Sequence, residues 1–181
     1  MPAAPGAPRR ASPPIATLAL LLMVPVPADA DTSAMIASKT FDPGAAKKLF
    51  VDFPVGKLEV FGTDAKDITF SVELRCERSR DCEDLVEDVR AIHEVRDDEV
   101  RLRIEDSKWH KDHHLRGKIE VPRSMAVEIK MNVDELEIER VEKDLEVQMS
   151  VGEVDVQVGE NSLKSVDIRV SIGDASMRPR S

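Results

Sequence analysis

The residue types best suited to metal chemistry lie in one polar segment, Asp106 to His114, which reads DSKWHKDHH. It holds His110, His113 and His114, and imidazole nitrogen is a common zinc ligand. Histidines at this spacing share a face only on a helix, and the segment lacks the apolar stripe of a helix. We therefore predict a solvated hairpin tip, with a histidine metal site as the alternative. Trp109 adds a second alternative, a binding loop, because an exposed indole is a common anchor.

Carboxylates form the second candidate site. If the strands of the second half stack in register at about 4.8 Å, Glu135, Glu153 and Asp174 occupy equivalent positions, and Glu137 and Asp155 form another row. Like charges directly opposite each other destabilise a sheet, so lysines and register offsets, or a cation such as Ca²⁺, must relieve the repulsion. The nonapeptide calcium repeat is absent. We therefore favour a solvated acidic face, keep a Ca²⁺ site as the alternative, and predict no other cofactor.

No combination of residues in the sequence is typical of an active site. The G-x-S-x-G, H-E-x-x-H and phosphate-loop motifs are absent. Paired carboxylates are abundant, but aromatic residues make up only 3% of the chain, with no tyrosine and one tryptophan, so an aromatic-lined sugar cleft is not available. We predict that the protein is not an enzyme. A polysaccharide-active β-helix enzyme is the least favoured alternative.

The two cysteines are Cys76 and Cys82, spaced C-x5-C. A zinc site built from thiolates usually needs four ligands and C-x2-C spacing. In an exported chain such a pair is more typical of a local disulfide than of a metal pair. We predict a disulfide that fixes a corner of the fold.

The N-terminal segment, residues 1–30, has the features of a secretory signal peptide. Arg9 and Arg10 precede the apolar run Ile15 to Val24, and Ala28-Asp29-Ala30 provides a small-x-small cleavage site, so we predict cleavage before Asp31. The alternative is a retained membrane anchor. The apolar run is well short of the roughly twenty residues that a spanning helix needs, so we predict no stable membrane insertion after cleavage.

The net charge excludes two classes of partner. Residues 1–30 contain two arginines and one aspartate, so their removal changes the formal net charge from −9 to −10. Nucleic acid requires a basic surface that neutralises phosphate, and anionic lipid attracts basic segments. We therefore predict neither nucleic acid nor an anionic membrane surface as a partner.

The elements that must position these residues are strands in which apolar and polar residues alternate. The alternation is interrupted at a short turn and then resumes. The period of two is the strand signature, and its recurrence indicates stacked coils. We predict a mainly all-β fold, a β-solenoid-like stack of short strands. Each break holds a residue expected to adopt φ > 0, which glycine does freely and aspartate tolerates. These turn residues are Gly56, Asp134, Gly152 and Gly173, within the blocks VGKLEV, VDELEI, VGEVDV and IGDASM, of which the last three start 18 and then 21 residues apart.

Two further elements are predicted outside the repeats. Residues 31–39 are small and polar and read as a flexible tether, which leaves residues 40–181 as one domain. Between Asp81 and Ala91 the period changes to that of a helix, with Leu85, Val86 and Val89 on one face. We predict one short helix of about three turns near residues 82–91, packed on the sheet. A hairpin around Asp97-Asp98 follows.

Several blocks together resemble the bacterial putative-adhesin family of unknown function, the toastrack or DUF4097-type β-solenoid domain. They are the KIEVP strand from Lys118 to Pro122 and the blocks Leu136 to Ile138, Leu145 to Val156 and Val166 to Asp174. The resemblance covers most of the chain after the signal segment. It implies an extracytoplasmic, non-catalytic domain linked to adhesion or envelope stress, with no catalytic residues to carry over. Members often continue for further coils, whereas this sequence stops at Ser181, soon after a phase break.

The function expected from these observations is that of an exported binding, adhesin-like or scaffold module of the cell envelope, located in the periplasm or at the cell surface. Its expected partners are an envelope protein or a surface polymer, and self-association through the C-terminal edge is a further option. Arg178, Pro179 and Arg180 offer the opposite interpretation, because such residues also protect an edge from pairing. A divalent-cation-binding envelope protein is the alternative function.

Overall fold

The computed structural model describes residues 32–76, 82–106, 113–159 and 164–179, which form strands almost throughout. The predicted signal segment, Trp109 and His110 lie outside these residues. The elements are β1 (Thr32–Phe41), β2 (Lys48–Thr63), β3 (Ile68–Cys76), α1 (Glu83–Val86), β4 (Val89–Val95), β5 (Glu99–Asp106), β6 (His113–Pro122), β7 (Ala126–Glu139), β8 (Leu145–Val158) and β9 (Val166–Pro179).

Four long strands form a parallel stack, in which β2, β7, β8 and β9 are successive neighbours. Each strand contributes one coil, and the register aligns equivalent residues of the repeated blocks. Val55 pairs with Val133, Val133 with Val151, and Val151 with Ile172. The all-β, solenoid-like prediction is therefore confirmed, and the sheet remains open rather than closing on itself.

Each long strand changes its buried face at the predicted turn residue. In β2 the buried positions are Leu49, Val51 and Phe53 before the break, and Leu58 and Val60 after it. We call the residues before the break the first arm of a strand and those after it the second arm. At the junction of the two arms, two successive residues point outward, which shifts the alternation by one residue. Both arms therefore keep their apolar side chains on the inside.

The turn residues at the breaks all have positive φ, as predicted. The values are 113° for Gly56, 111° for Asp134, 141° for Gly152 and 131° for Gly173. Gly152 also lies close to the preceding coil, because a Cβ built on it would lie 1.9 Å from the carbonyl oxygen of Asp134. Glycine is thus required both for the backbone conformation and for the close approach of the coils.

The core lies between the first and second arms and is one continuous apolar cluster. It is built from Val, Ile, Leu and Met of the coils, with Phe53 and Phe70 as its largest side chains. Burial of these alternating residues is the main stabilising contribution, at roughly 25 cal/mol per Å² of apolar surface removed from water.

The remaining strands cover the β2 end of the stack. β5 runs parallel to the first arm of β2 and pairs with β4 in the predicted hairpin. β6 runs parallel to the second arm of β2 and is followed outward by β3 and β1, both antiparallel to their neighbours. β5 and β6 therefore supply the two arms of one further coil.

Three sequence predictions are corrected by this arrangement. The tether predicted at residues 31–39 is wrong over Thr32 to Lys39, which belong to β1 and pair with β3. The predicted three-turn helix is a single turn, Glu83–Val86, and Val89 begins β4. The predicted hairpin tip is also wrong, because β5 and β6, which flank the histidine-rich segment, pair with β2 and not with each other.

Pairing across the sheet explains the first two corrections. A short polar segment becomes a strand when a neighbouring strand offers it a hydrogen-bonding edge, and a short helix cannot persist without packing. Among the described residues no helix has the length and apolar character needed to cross a membrane.

Candidate functional site

The end of the stack formed by β9 is the most distinctive surface of the described residues. β8 buries its inward side chains, with Val147 and Val156 both 0% exposed. Their neighbours in register on β9 are Ile168, which is half-buried, and Met177, which is 48% exposed. The inward apolar row of β9 is therefore covered by β8 on one side only.

Backbone hydrogen bonds show which residues of β9 face its outer edge. In the first arm of β8, the inward residue Leu145 donates its N–H to the carbonyl of Ser165 at 3.0 Å, toward the next coil. In the second arm, the outward residue Gln157 accepts the N–H of Arg140 at 3.2 Å, toward the preceding coil. The side to which the backbone N–H and C=O groups point alternates from one residue to the next along a strand. Because β9 pairs in register with β8, it is the outward residues of β9 that bond to β8. The inward residues of β9 therefore direct their N–H and C=O groups away from β8.

Within the part of the chain that the structure describes, no strand pairs with this side of β9. The outer edge is a strand of 14 residues that exposes a row of backbone donors and acceptors. Ile172, which is 67% exposed, lies at its bend. Such an edge is a template for pairing with another strand.

The charges of β9 differ from those of the coils behind it. β9 holds Asp167, Arg169, Asp174 and Arg178, so its side chains sum to zero charge. β8 holds two glutamates and one aspartate and no basic residue. Since the whole chain carries −9, the end of the stack lacks the excess negative charge of the rest.

The predicted carboxylate rows exist on the outer face of the second arms. Glu135 pairs with Glu153, and Glu153 with Asp174, in direct register, while Glu137 pairs with Asp155. The row of Glu135 begins at Lys57 of β2, whereas the row of Glu137 begins at Glu59 of β2.

Lys57 compensates part of the negative charge of these rows. Its Nζ lies 2.7 Å from Glu137 Oε1 and 3.2 Å from Glu135 Oε1. The hydrogen bond to Glu137 raises the pKa of Lys57 above its ordinary value, and the same bond lowers the pKa of Glu137. At the other end of the second row, Arg178 forms an ion pair with Asp155.

Replacing Lys57 by methionine should lower stability in a pH-dependent way. Glu137, whose folded-state pKa is lowered, stabilises the fold above its ordinary pKa of about 4.3 and loses that effect as pH falls through the folded value. Lys57, whose pKa is raised, stabilises the fold below about 10.4 and loses that effect as pH rises further. We therefore expect the deficit between about pH 5 and pH 10, at about 1 kcal/mol because the pair is partly exposed.

Urea denaturation at several pH values measures this deficit. Lys118→Met, which removes a lysine paired with Glu120 at 2.8 Å and 50% exposed, is the matched control and should cost less. A K57M deficit that persisted unchanged at pH 3 would show that lost packing, and not charge, is responsible.

The structure keeps the residues of the carboxylate candidate in one row but places His113 and His114 of the histidine candidate on opposite faces of a strand. No group of three or more His, Cys, Asp or Glu side chains in the described residues is arranged to hold a metal ion. The carboxylate row of Glu135, Glu153 and Asp174 has the predicted register, and Lys57 relieves part of its repulsion, as the sequence argument required.

Of the three candidate histidine ligands, His110 lies outside the described residues, and His113 and His114 lie on opposite faces of one strand. Both residues belong to β6, and adjacent residues of a strand point to opposite faces. His113 points inward, is 2% exposed, and its Nε2 lies 2.9 Å from Asp106 Oδ2 at the end of β5. It thereby links the two arms of the β5–β6 coil in the core.

The predicted disulfide joins Cys76 at the end of β3 to Cys82, which directly precedes α1. Both residues are buried, at 1% and 3% exposure. The bond fixes the corner through which the chain leaves β3.

Two residues that contribute to the charge pattern of the stack, one on β2 and one on β9, were not predicted. Lys57 could have been found from the repeated blocks, since it is the one basic residue at a position occupied by Glu135, Glu153 and Asp174 in the other three. Arg169 could have been found as a basic residue on the final strand, which also lacks the acidic excess of β8. The missing step was a comparison of charge between equivalent positions.

The described strands define an open, stacked all-β domain. No family model matches the chain, and no curated protein matches it. A putative cell adhesion protein from Clostridium sporogenes is similar over 83% of this chain and 99% of its own, at 15% identity and TM-score 0.47.

Two other solved structures are similar. A putative adhesin from Parabacteroides distasonis has 17% identity and TM-score 0.36, with 78% of this chain and 66% of its own covered. A putative adhesin from Bacteroides fragilis has 13% identity and TM-score 0.38, with 79% and 78% covered. The names of these solved proteins match the family that the sequence blocks resemble.

Proposed function

We propose that this chain is an exported, non-catalytic binding or scaffold module of the cell envelope, which docks its partner by strand addition at the outer edge of β9. The observation that carries the proposal is the open end of the stack. An added strand would pair with the exposed backbone groups and cover the inward row, which is half-buried in the first arm and exposed in the second. Backbone pairing and side-chain burial are the two requirements of recognition by strand addition.

Protection of the edge is confined to its last residues. Arg178 is held by Asp155 of β8 on the outer face, and Pro179 ends the strand. Arg180, the third residue of the protective interpretation, lies outside the described residues. The first arm of β9, from Val166 to Val170, contains neither proline nor lysine, the residues that commonly block an edge. Docking is therefore favoured over protection along most of β9.

Export is supported by two independent features. The first is the signal-like segment ending at Ala30, and the second is the disulfide between Cys76 and Cys82. Disulfides persist in oxidising compartments outside the cytoplasm. The non-catalytic part of the proposal rests on the absence of catalytic motifs from the sequence.

A photo-crosslinking amino acid placed at Ile172 tests the proposal in cells that express the full chain. Val133 is the matched control, because it occupies the equivalent bend position two coils inside the stack and is 42% exposed. We expect specific adducts from position 172 in the envelope fraction and few from position 133. Equal adduct patterns at both positions, or recovery of the chain from the cytoplasm with its first 30 residues intact, would contradict the proposal.

A further inference from the structure

We propose that the occupant of the β9 edge is a second copy of this chain. The two β9 strands run antiparallel about a two-fold axis that passes through their bends. This inference rests on the proposed docking edge and names its partner. An isologous contact of this kind uses the same surface on both copies and closes as a dimer.

The bend of β9 restricts how a second copy can pair. A two-fold axis through the bend places the first arm of one copy along the second arm of the other, so both bent strands keep their inward faces inside. Inward residues are even-numbered in the first arm and odd-numbered in the second, as the register with β8 shows. Inward residues of the two copies can therefore face each other only if each facing pair joins an even-numbered residue to an odd-numbered one. Superposing the two bends selects the register in which Val170 faces Gly173 of the second copy, Ile168 faces Ala175, and Val166 faces Met177.

Hydrogen bonding supports the same register. In an antiparallel pair, two residues that face each other must both direct their backbone groups toward the partner or both away from it. The inward residues of both arms of β9 direct theirs to the outer edge, by the alternation established for Leu145 and Gln157. Each inward pair of this register is therefore a hydrogen-bonded pair, in both arms at once.

Charge complementarity also supports this register. On the outer face, Arg169 lies opposite Asp174 of the second copy, and by symmetry the pair occurs twice. Asp167 lies opposite Ser176, and Arg178 opposite Ser165, so that no like charges are opposed. Opposite charges directly across two strands stabilise their pairing, and like charges oppose it. A comparable self-pairing of β8 would place Glu146 opposite Asp155, in a strand that has no basic residue.

The inward row is also completed by this arrangement. Val166, Ile168 and Val170 are half-buried, and Met177 is 48% exposed. The second copy places its own apolar row beside these side chains, as β8 does on the other side. Ile172, exposed at the bend, then lies opposite Ser171 of the second copy.

The other end of the stack does not offer an equivalent surface. There the coil of β5 and β6 is followed by β4 on one arm and by β3 and β1 on the other, all antiparallel to their neighbours. Head-to-tail stacking would have to join β9 to this different end. That contact would not close and would produce fibres.

Charge exchange at the proposed pair tests the dimer. The chain is purified from cells that express the full sequence, and its mass is measured by light scattering after size-exclusion chromatography over a range of concentrations. We expect a dimer for the wild type. Arg169→Asp and Asp174→Arg should each weaken dimerisation at least about 10-fold, because each places like charges opposite each other twice. The double variant R169D/D174R should restore the wild-type dissociation constant to within about 3-fold.

Lys130→Asp is the matched control, since Lys130 occupies the position of Arg169 two coils inside the stack. It should leave the dissociation constant unchanged, and circular dichroism melts confirm that each variant is folded. A monomeric wild type, single variants that dimerise normally, a double variant no better than the singles, or concentration-dependent growth beyond the dimer would each overturn the inference.

Failure of this inference is distinguishable from failure of the proposed function. If the chain is monomeric but position 172 crosslinks to a different protein, the edge docks a foreign strand, and the second-copy assignment alone is wrong. If the chain is monomeric and position 172 gives no specific adduct, both are wrong.

Discussion

Gly152→Ala is expected to lower the free energy of unfolding by about 3 kcal/mol or more. Alanine at φ 141° adopts a strained backbone conformation, at a cost of about 1–3 kcal/mol. Its Cβ would also lie 1.9 Å from the Asp134 carbonyl oxygen, so β7 and β8 must separate locally. Both strands are central in the stack, with neighbours on each side, and cannot move freely. Urea denaturation monitored by circular dichroism measures the change.

Asp134→Gly is the control for this prediction. Asp134 occupies the equivalent position of β7 and has φ 111°, so glycine there removes strain. The gain is offset by the greater freedom of glycine in the unfolded chain, and we expect a net change below about 1 kcal/mol. Gly173→Ala should cost less than G152A, because β9 has a neighbour on one side only among the described strands. Equal losses in G152A and G173A would show that contact with the preceding coil, and not confinement between two coils, sets the cost.

Removal of the disulfide has the second largest expected effect. Cys76 and Cys82 close a short loop, for which chain entropy predicts a loss of about 2 kcal/mol on reduction. The loss should be concentrated at the outer edge of the second arms, because Cys76 pairs with Thr32 of β1 and His113 of β6. Hydrogen exchange should therefore increase in β1, α1 and the end of β3, and remain unchanged in β8.

Two measurements separate the bond from the volume of the side chains. The double variant C76A/C82A removes both sulfur atoms from buried positions, whereas reduction of the wild type leaves them in place. Matching shifts of the urea midpoint in the two experiments would assign the stability to the covalent bond. If reduction alone has no effect, the predicted entropic stabilisation is wrong, and the variant reports a packing defect.

The sequence predicted most of the long strands because their signals are local. Alternation of apolar residues marks a strand, and the glycine or aspartate at each break marks the change of buried face. The repeated blocks also gave the register, since aligning Val133, Val151 and Ile172 by their breaks reproduces the observed pairing. The disulfide followed from cysteine spacing and the signal-like segment.

The errors fall where a remote partner decides the conformation. Residues 32–39 lack a strong strand pattern of their own and extend because β3 pairs with them. Val89 and Ile92 fit a helical stripe, yet they form β4 because β5 offers a strand to pair with. His113 sits in a polar stretch and is nevertheless buried beside Asp106. Strand propensity depends on such neighbours far more than helix propensity does.

The same division applies to the candidate site. By itself the sequence determined that the final block is a strand, that it repeats the pattern of the coils before it, and that its edge was a candidate for pairing, because periodicity and glycine placement are properties of the chain. Only the tertiary structure decided that the inward residues of β9 also direct their backbone groups outward along the stack, and that Arg169 and Asp174 take symmetric places about its bend. Those relations depend on register between strands, and register is set by the packing of all the coils together.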